Sequence, residues 1–162
     1  MPGTGKTTLA RALAQEHQAT YLRIDAIEQA LRTSGMLAGD VGPAGYLVAY
    51  ALAESNLRLG HSVVADSANT IATTREAWRR VAASAGVPIV EIELVCSDLA
   101  EHRRRIEMRA NDILGLPPLD WQQIVARSYD PWDRPHIQLD TAGIPVAAAL
   151  AELRRAIDCR PG

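Results

Sequence analysis

The feature that most constrains this chain is a glycine-rich run at its start, PGTGKTT at residues 2–8. Glycines in such a run let the backbone turn its N–H groups inward around a phosphate. A following Lys can reach the outer phosphates, and the next Thr can offer its hydroxyl to Mg²⁺. A helix beginning at Thr7 or Thr8 would point its positive dipole end at the same anion. The run predicts a phosphate site formed by Pro2, Gly3, Thr4, Gly5, Lys6, Thr7 and Thr8. An ordinary glycine-rich turn before a helix is the alternative.

Helical and strand-like segments alternate along the rest of the chain, from KTTLARALAQEH to IPVAAALAELRRAI. Strands separated by helices predict an α/β fold with a parallel sheet that is covered on both faces. In such sheets the ligand site lies beyond the carboxyl ends of the strands. The informative positions are therefore the acidic residues near those ends, which are Asp25, Asp66, Asp98 and Asp140.

Length and composition predict one soluble domain spanning residues 1–162. Hydrophobic residues make up 48% of the chain, charged residues 22%, and the net charge is −2. This balance argues against a broad nucleic-acid surface, and no stretch approaches the length of a membrane span. The two cysteines form no disulfide framework and the four histidines show no metal-ligand spacing. We therefore expect a cytoplasmic protein with reduced thiols and no structural zinc.

The glycine-rich loop, together with the order and spacing of the elements, resembles the small single-domain P-loop kinases. That group includes gluconate kinase, shikimate kinase and the kinase domain of phage polynucleotide kinase, and AAA-family ATPases lie near it. The resemblance covers nearly the whole chain. It implies a three-layer P-loop NTPase fold with a mostly parallel sheet, and ATP and Mg²⁺ as cofactors.

The first strand of that fold, which is central and feeds the loop, is missing from this sequence. The first glycine of the motif would fall just before Met1. The strands that end near Asp66 and Asp98 would then have unpaired backbone groups to satisfy. Three explanations stay open: the chain is a truncated version of a longer protein, the two strands close up on each other, or another chain fills the slot.

The resemblance also implies roles for polar residues after the second and third strands of the family fold. Asp25, in YLRID, would face the acceptor hydroxyl and accept its proton. Its alternative role is to cap the following helix. Asp66, in HSVVAD, would hold Mg²⁺ through water, and Asn69 of the following SAN would contact substrate unless it is only a turn residue.

HRRRIEMR resembles the start of the kinase lid, which would span residues 109–130. Arg105 and Arg109 have the spacing of one helix face and would deliver positive charge to the transferred phosphoryl group. The alternative is a solvated face on which Glu101 and Glu107 pair with arginines. In HIQLDTAG, the resemblance places Thr141 and Ala142 beside the adenine.

The function implied is transfer of the γ-phosphoryl group of ATP to a hydroxyl of a small molecule or nucleotide. Two alternatives stay open, a regulatory nucleotide-binding switch and a truncated, non-catalytic ATP-binding domain. Residues 36–57 should form much of the acceptor wall and are mostly apolar. That wall favours a sugar, nucleoside, small alcohol or antibiotic over a long polynucleotide, although a nucleotide end is possible.

Overall fold

A computed structural model describes residues 1–36, 39–109, 112–118 and 120–159. Within these ranges helices and short strands alternate, as the sequence predicts. The strands are β1 (Thr20–Arg23), β2 (Val63–Asp66), β3 (Ile92–Val95) and β4 (Ile137–Asp140). The helices are α1 (Lys6–Glu16), α2 (Ile24–Thr33), α3 (Ala44–Arg58), α4 (Ala72–Ala85), α5 (Leu99–Glu107), α6 (Trp121–Val125) and α7 (Val146–Asp158).

The sheet is divided into two parallel halves. β1 pairs with β2, with Thr20 opposite Val63 and Arg23 opposite Asp66. β3 pairs with β4 in the same parallel sense. In the part of the chain that the structure describes, β2 and β3 are not hydrogen-bonded to each other. The predicted α/β fold with parallel strands is confirmed, and β2 and β3 do not close up on each other.

Each half of the sheet has its own apolar core. One core lies between α1, α7 and the β3–β4 pair and contains Leu9, Leu13, Leu94, Leu139, Ala149 and Leu153. The other lies between β1, α3 and α4 and contains Leu22, Ile24, Ala49, Ala53, Trp78 and Val81. Val64 of β2 packs against the first core, so α1 and β2 connect the two halves.

Two predicted element boundaries are wrong. Asp25 does not end a strand: β1 stops at Arg23, and Asp25 lies in the first turn of α2. The first helix begins at Lys6 rather than at Thr7 or Thr8. The N-cap of α4 is Ile71, which has extended backbone, and the carboxylate of Asp130 accepts from the Ala72 amide. A residue distant in the sequence therefore supplies the side-chain cap of α4.

Two helix ends are set by residues typical of such positions. The Asp98 carboxylate caps α5 by accepting from the amides of Ala100 and Glu101. Gly86 ends α4 with φ of 70°, a left-handed conformation that glycine adopts without strain. Among the described residues, none of the helices combines the length and apolar character needed to cross a bilayer.

We predict that Leu153→Ala lowers the free energy of unfolding by about 2–5 kcal/mol, because it removes buried methyl groups and leaves a cavity. Leu153 is 1% exposed in the α1–α7 core. Leu114→Ala is the matched control, since Leu114 is 96% exposed and its loss should change stability by less than about 0.5 kcal/mol. Urea denaturation of both variants measures the difference, and equal losses would contradict the core assignment.

Candidate active site

The glycine-rich loop is held in place by α5 and by the end of β4. Nε2 of His102 donates to the Pro2 carbonyl at 2.6 Å. The Thr141 hydroxyl lies 3.2 Å from the Thr4 carbonyl and 3.0 Å from the Val95 carbonyl, and these two acceptors share its one proton. Gly3 has φ of 77°, and a Cβ there would collide with the side chain of Ile106. The loop therefore requires glycine at this position for both conformation and space.

Gly5 is the N-cap of α1, with φ of 86°. Among the described residues, no side chain caps this helix and no acidic residue lies in its first turn. The N–H groups at the start of α1 are left for an external acceptor, and the helix dipole favours an anion there. The predicted geometry of a phosphate-binding loop is present.

Lys6 is the only lysine in the chain. Its Nζ donates to the Met1 carbonyl at 2.5 Å. Burial lowers the pKa of Lys6 to about 8, Asp66 and Asp25 act in the opposite direction, and Arg109 and Arg127 add to the lowering. Two carboxylates and two guanidinium groups thus surround this ammonium group closely enough to change its titration.

Asp66 is buried at the carboxyl end of β2 and is oriented by two residues of β1. The Tyr21 hydroxyl donates to Oδ2 of Asp66 at 2.7 Å. Nε of Arg23 lies 3.9 Å from the same oxygen. Burial and the bond to Asp66 raise the pKa of Tyr21, so the phenol keeps its proton and remains a donor. Sequence reasoning missed Tyr21 and Arg23, because only the register between β1 and β2 brings them to Asp66.

Thr7 and Asp66 supply oxygen donors of the type that Mg²⁺ prefers. Within the described ranges, no group of three or more His, Cys, Asp or Glu side chains is arranged to hold a metal. Magnesium commonly keeps several waters and binds one or two carboxylates together with substrate phosphates. The residues present fit that mode, in which phosphate oxygens complete the coordination, and they do not fit a cage made by protein alone.

Two polar side chains after β2 have buried oxygens without a partner. Oγ of Ser67 and Oδ1 of Asn69 form no hydrogen bond within the described part of the chain. Buried polar atoms usually have a partner, so these two are available to a ligand. Asn69 was expected beside the substrate, whereas Ser67 was not singled out in the sequence.

The two arginines expected to share a helix face are separated in the structure. α5 ends at Glu107, so Arg109 lies beyond the helix, and the expectation of one shared face is wrong. Arg105 donates to the hydroxyl of Thr141 at 2.8 Å, to its carbonyl at 2.7 Å, and to Glu101 at 2.6 Å. Arg109 instead affects the titration of Lys6. Both ion pairs of the alternative interpretation are also present, Arg105 with Glu101 and Arg103 with Glu107, each at 2.6 Å.

A cavity of 240 Å³ lies beside the loop on the β4 side. The Asp140 carboxylate accepts from the amides of Ser97 and Ala142 and so closes the turn after β4. Ala142 does not line the cavity, whereas Thr141 does. The lining residues are Gly3, Gly5, Thr8, Leu9, Arg105, Thr141, Ile144, Val146 and Ala149.

Asp112 connects the segment after α5 to β1. Its carboxylate accepts from Arg23 at 2.8 and 3.0 Å and from Arg11 at 2.5 Å. These guanidinium groups hold the pKa of Asp112 well below its usual range, with Arg23 the largest cause.

Of the region predicted as a lid, residues 110, 111 and 119 lie outside the described residues. Arg127, which sequence reasoning also missed, follows α6 in this region and affects the titration of both Lys6 and the Met1 amine.

We predict that Asp112→Ala lowers the free energy of unfolding by about 1–3 kcal/mol, since it removes charged hydrogen bonds from a buried guanidinium group. Asp133→Ala is the control, because Asp133 is 60% exposed and an exposed pair contributes less than about 1 kcal/mol. Thermal and chemical denaturation at pH 7 give both values. A loss no larger than that of the control would show that Arg23 does not depend on Asp112.

The phosphate loop at the start of α1 and the parallel strands behind it define a P-loop NTPase fold of the kinase-like group. The chain belongs to the AAA domain family, whose model AAA_33 matches residues 1–127.

Solved structures of three proteins share this fold. Chaetomium thermophilum Kti12, in complex with ADP-AlF3, has a TM-score of 0.71 at 21% identity. The match covers 100% of this chain and 96% of the Kti12 chain. A sugar kinase from Janibacter sp. HTCC2649 has a TM-score of 0.70 at 18% identity, with coverage of 99% and 92%. Mycobacterium tuberculosis APS kinase CysC, in complex with AMPPNP and APS, has a TM-score of 0.66 at 20% identity, with coverage of 98% and 91%.

Two similar curated proteins are longer. Uncharacterized protein Rv2004c of Mycobacterium tuberculosis is 34% identical over 155 residues, which is 88% of this chain and 30% of the relative. Uncharacterized protein Mb2027c of Mycobacterium bovis matches to the same extent. The chain thus spans less than a third of the length of these relatives.

Proposed function

We propose that this chain is an ATP-dependent phosphotransferase that moves the γ-phosphoryl group to a hydroxyl of a small molecule. The observation that carries the proposal is the uncapped start of α1 behind the glycine-rich loop, with Lys6 in its first turn and Asp66 buried at the end of β2. Asp25, Asp66, Arg109 and Arg127 all influence the pKa of the Lys6 ammonium group. Phosphoryl transfer requires little beyond correct placement of the reactants and neutralisation of negative charge. This grouping offers both, next to a helix start whose amides are left without a side-chain cap.

Each charged group has a distinct role in the proposal. Lys6 and the loop amides hold the β- and γ-phosphates, and Arg109, assisted by Arg127, neutralises charge on the transferred group. Thr7 and Asp66 hold Mg²⁺, which when bound neutralises phosphate charge. Asp25, in the first turn of α2, orients the acceptor hydroxyl and takes its proton. Tyr21 keeps Asp66 in its orientation through their 2.7 Å hydrogen bond.

The base of the nucleotide would occupy the cavity beside Thr141. Arg105 closes one side of that cavity and is fixed there by Thr141 and Glu101. Arg105 therefore acts on the nucleotide rather than on the acceptor. Residues 109–130 form the lid in this proposal, and the Arg23–Asp112 contact holds part of that lid against β1.

The acceptor would lie between Asp25 and the start of α3. Tyr46 is partly buried there, and Glu28 and Asp25 both contribute to raising its pKa, with burial the larger cause. Oγ of Ser67 and Oδ1 of Asn69 offer hydrogen bonds to a polar acceptor. A small hydroxyl compound matches a wall with a few polar groups on an apolar helix. Among the structural relatives, one is a sugar kinase and another was solved with APS, and both are consistent with an acceptor of this size.

We predict that Lys6→Ala reduces ATP turnover by at least about 100-fold, because the phosphates lose their only ammonium ligand. The measurement is ADP release with Mg-ATP and a panel of sugars, nucleosides and small alcohols. Arg58→Ala is the control: Arg58 is 59% exposed, pairs with Glu54 on α3, and should leave turnover unchanged.

The single lysine permits a second readout of the same site. Amine acylation above pH 8 should modify Lys6, and Mg-ATP should protect it, as quantified by fragment-ion mass spectrometry that distinguishes Nζ of Lys6 from the Met1 amine in the same peptide. Turnover unchanged in Lys6→Ala, or labelling unaffected by Mg-ATP, would contradict the proposed phosphate site.

We predict that Asp25→Asn lowers the rate of the chemical step by about 10²–10⁴-fold and changes the Kd for ATP by less than about threefold. The amide keeps the shape of the carboxylate but cannot take a proton. Single-turnover kinetics and calorimetric titration with ATP separate the two effects. Asp158→Asn, at the end of α7, is the control. Equal losses in rate and ATP binding would assign Asp25 to nucleotide binding or helix stability instead.

A further inference from the structure

Helix α2 presents a row of polar side chains to the region between the start of α3 and the segment 112–116. Asp25, Glu28 and Gln29 lie on one face of this helix, because residues three and four positions apart are neighbours on a helix surface. Asp25 is the proposed base for the acceptor hydroxyl. Glu28 and Gln29 therefore lie one turn further along the helix, where the rest of an acceptor molecule would extend.

Gln29 is buried on this face, with only 7% of its surface exposed. Its Nε2 donates to the Leu114 carbonyl at 3.3 Å, which orients the carboxamide. Oε1, on the other arm of the carboxamide, is buried and has no hydrogen-bond partner within the described part of the chain. Buried polar atoms nearly always have a partner, so this oxygen lacks a donor that a bound molecule can supply.

The segment that covers Gln29 is closely packed against it. Gly115 has φ of 77°, and a Cβ at this position would lie 2.9 Å from Nε2 of Gln29. Asp112, three residues earlier, accepts from Arg23 and Arg11 and so fixes the same segment over β1 and α1. The carboxamide is thus enclosed between α2 and this segment, and the donor for Oε1 must come from a molecule enclosed with it.

The start of α3 forms the opposite wall and connects Glu28 with the loop after β2. Glu28 packs against Gly45, where a Cβ would collide with Cγ of Glu28. Burial and the charge of Glu28 raise the pKa of Tyr46, and a backbone hydrogen bond with Ala68 opposes that rise. Tyr46 therefore lies between the polar face of α2 and the loop that carries the proposed acceptor contacts.

The unsatisfied polar atoms around this space are hydrogen-bond acceptors. Oε1 of Gln29 and Oδ1 of Asn69 can only accept, and Oγ of Ser67 can accept as well as donate. The carboxylates of Asp25 and Glu28 add further acceptors on α2. A molecule that satisfies these atoms must carry several O–H or N–H donors.

The charge of the same wall is negative. Burial raises the pKa of Glu28 and the charge of Asp25 adds to the rise, whereas the bond from Arg32 at 3.2 Å opposes it. Lys6 and Arg109 are the cations closest to Asp25 along the reaction path, and the proposed function assigns both to the phosphates of ATP. An anionic group in this space would therefore face carboxylates and be disfavoured.

We infer that the acceptor is an uncharged or cationic molecule with several hydroxyl or amino groups, one of which donates to Oε1 of Gln29 while the reacting hydroxyl lies at Asp25. The inference rests on the proposed function and names its acceptor class: sugars, amino sugars and nucleosides, and not molecules that already carry a phosphate. In the reaction, the hydroxyl oxygen bonds to the γ-phosphorus as the bond from that phosphorus to ADP breaks, and the proton passes to Asp25. Gln29 is the residue that determines specificity.

Three compounds that share one ring test the charge of the acceptor, namely glucosamine, glucose and glucose 1-phosphate, each with Mg-ATP and the full chain. We expect kcat/KM for ADP release to be at least about 10-fold higher with glucosamine or glucose than with glucose 1-phosphate, because like charges repel. Adenosine and adenosine 3′-monophosphate form a second pair with the same expectation. Preference for the phosphorylated compound in either set would overturn the inference while leaving phosphoryl transfer intact. ADP release that no compound accelerates would overturn the proposed function and the inference with it.

Gln29→Met tests the contact itself, because methionine keeps the length of the side chain and removes Oε1. We expect kcat/KM for the accepted compound to fall about 10-fold, with KM for ATP changed less than about threefold. One monodeoxy analogue of that compound should be about 10-fold poorer than its parent with the unsubstituted chain and equal to it with Gln29→Met. Gln15→Met is the control, since Gln15 is exposed on α1 and its loss should leave this discrimination intact. Losses that add for every analogue would overturn the inference.

A stability measurement needs no acceptor and separates recognition from a structural role. Gln29→Met removes an unsatisfied oxygen together with the 3.3 Å bond to Leu114, so its Tm should lie within about 3 °C of that of the unsubstituted chain. Gln138→Met is the comparison, because Nε2 of Gln138 donates to the buried Glu93 at 2.6 Å and its loss should lower the Tm further. A larger fall in Gln29→Met than in Gln138→Met would assign Gln29 to the fold and overturn the inference.

Discussion

The phosphate-binding loop depends on two hydrogen bonds from distant parts of the chain. His102 of α5 holds the Pro2 carbonyl, and Thr141 after β4 holds the Thr4 carbonyl. Both partners lie about a hundred residues or more after the loop in the sequence. The same Thr141 receives Arg105, so the loop, the neighbouring cavity and the end of the β3–β4 sheet form one connected unit.

Charge placement around the loop explains why buried ionic groups are tolerated. Arg23 is buried between Asp66 and Asp112, and it has a carboxylate on each side. A buried guanidinium group without partners would lower the free energy of unfolding by roughly several kcal/mol. A paired one restricts the carboxylates beside it to one arrangement. Tyr21 and Arg23 of β1 consequently orient Asp66, and Arg23 also binds Asp112. Arg23 therefore helps to position Asp66 in the proposed metal site and also binds Asp112 in the proposed lid.

The phosphate loop and the parallel α/β pattern could be predicted from sequence, because each depends on local residue type or on the order of elements. The sequence left open whether β2 and β3 pair with each other. Gly3 and Gly5 adopt the left-handed conformations that the motif requires. The partners of Asp66 could not be predicted, because Tyr21 and Arg23 reach it only through the register of two strands that are forty residues apart. Asp25 was placed in the wrong element, since β1 ends at Arg23 and the helix starts at once. Arg109 was placed on α5, although the helix ends two residues earlier.

Two separate cores have a consequence for how the chain unfolds. Among the described residues, the β1–β2 core and the β3–β4 core share none, and α1 with Val64 of β2 forms the link between them. Cooperativity between the halves must pass through that helix, which also begins at the phosphate loop. A ligand that anchors the first turn of α1 would therefore couple the melting of both halves, and the calorimetric transition should sharpen as well as shift upward when such a ligand is bound.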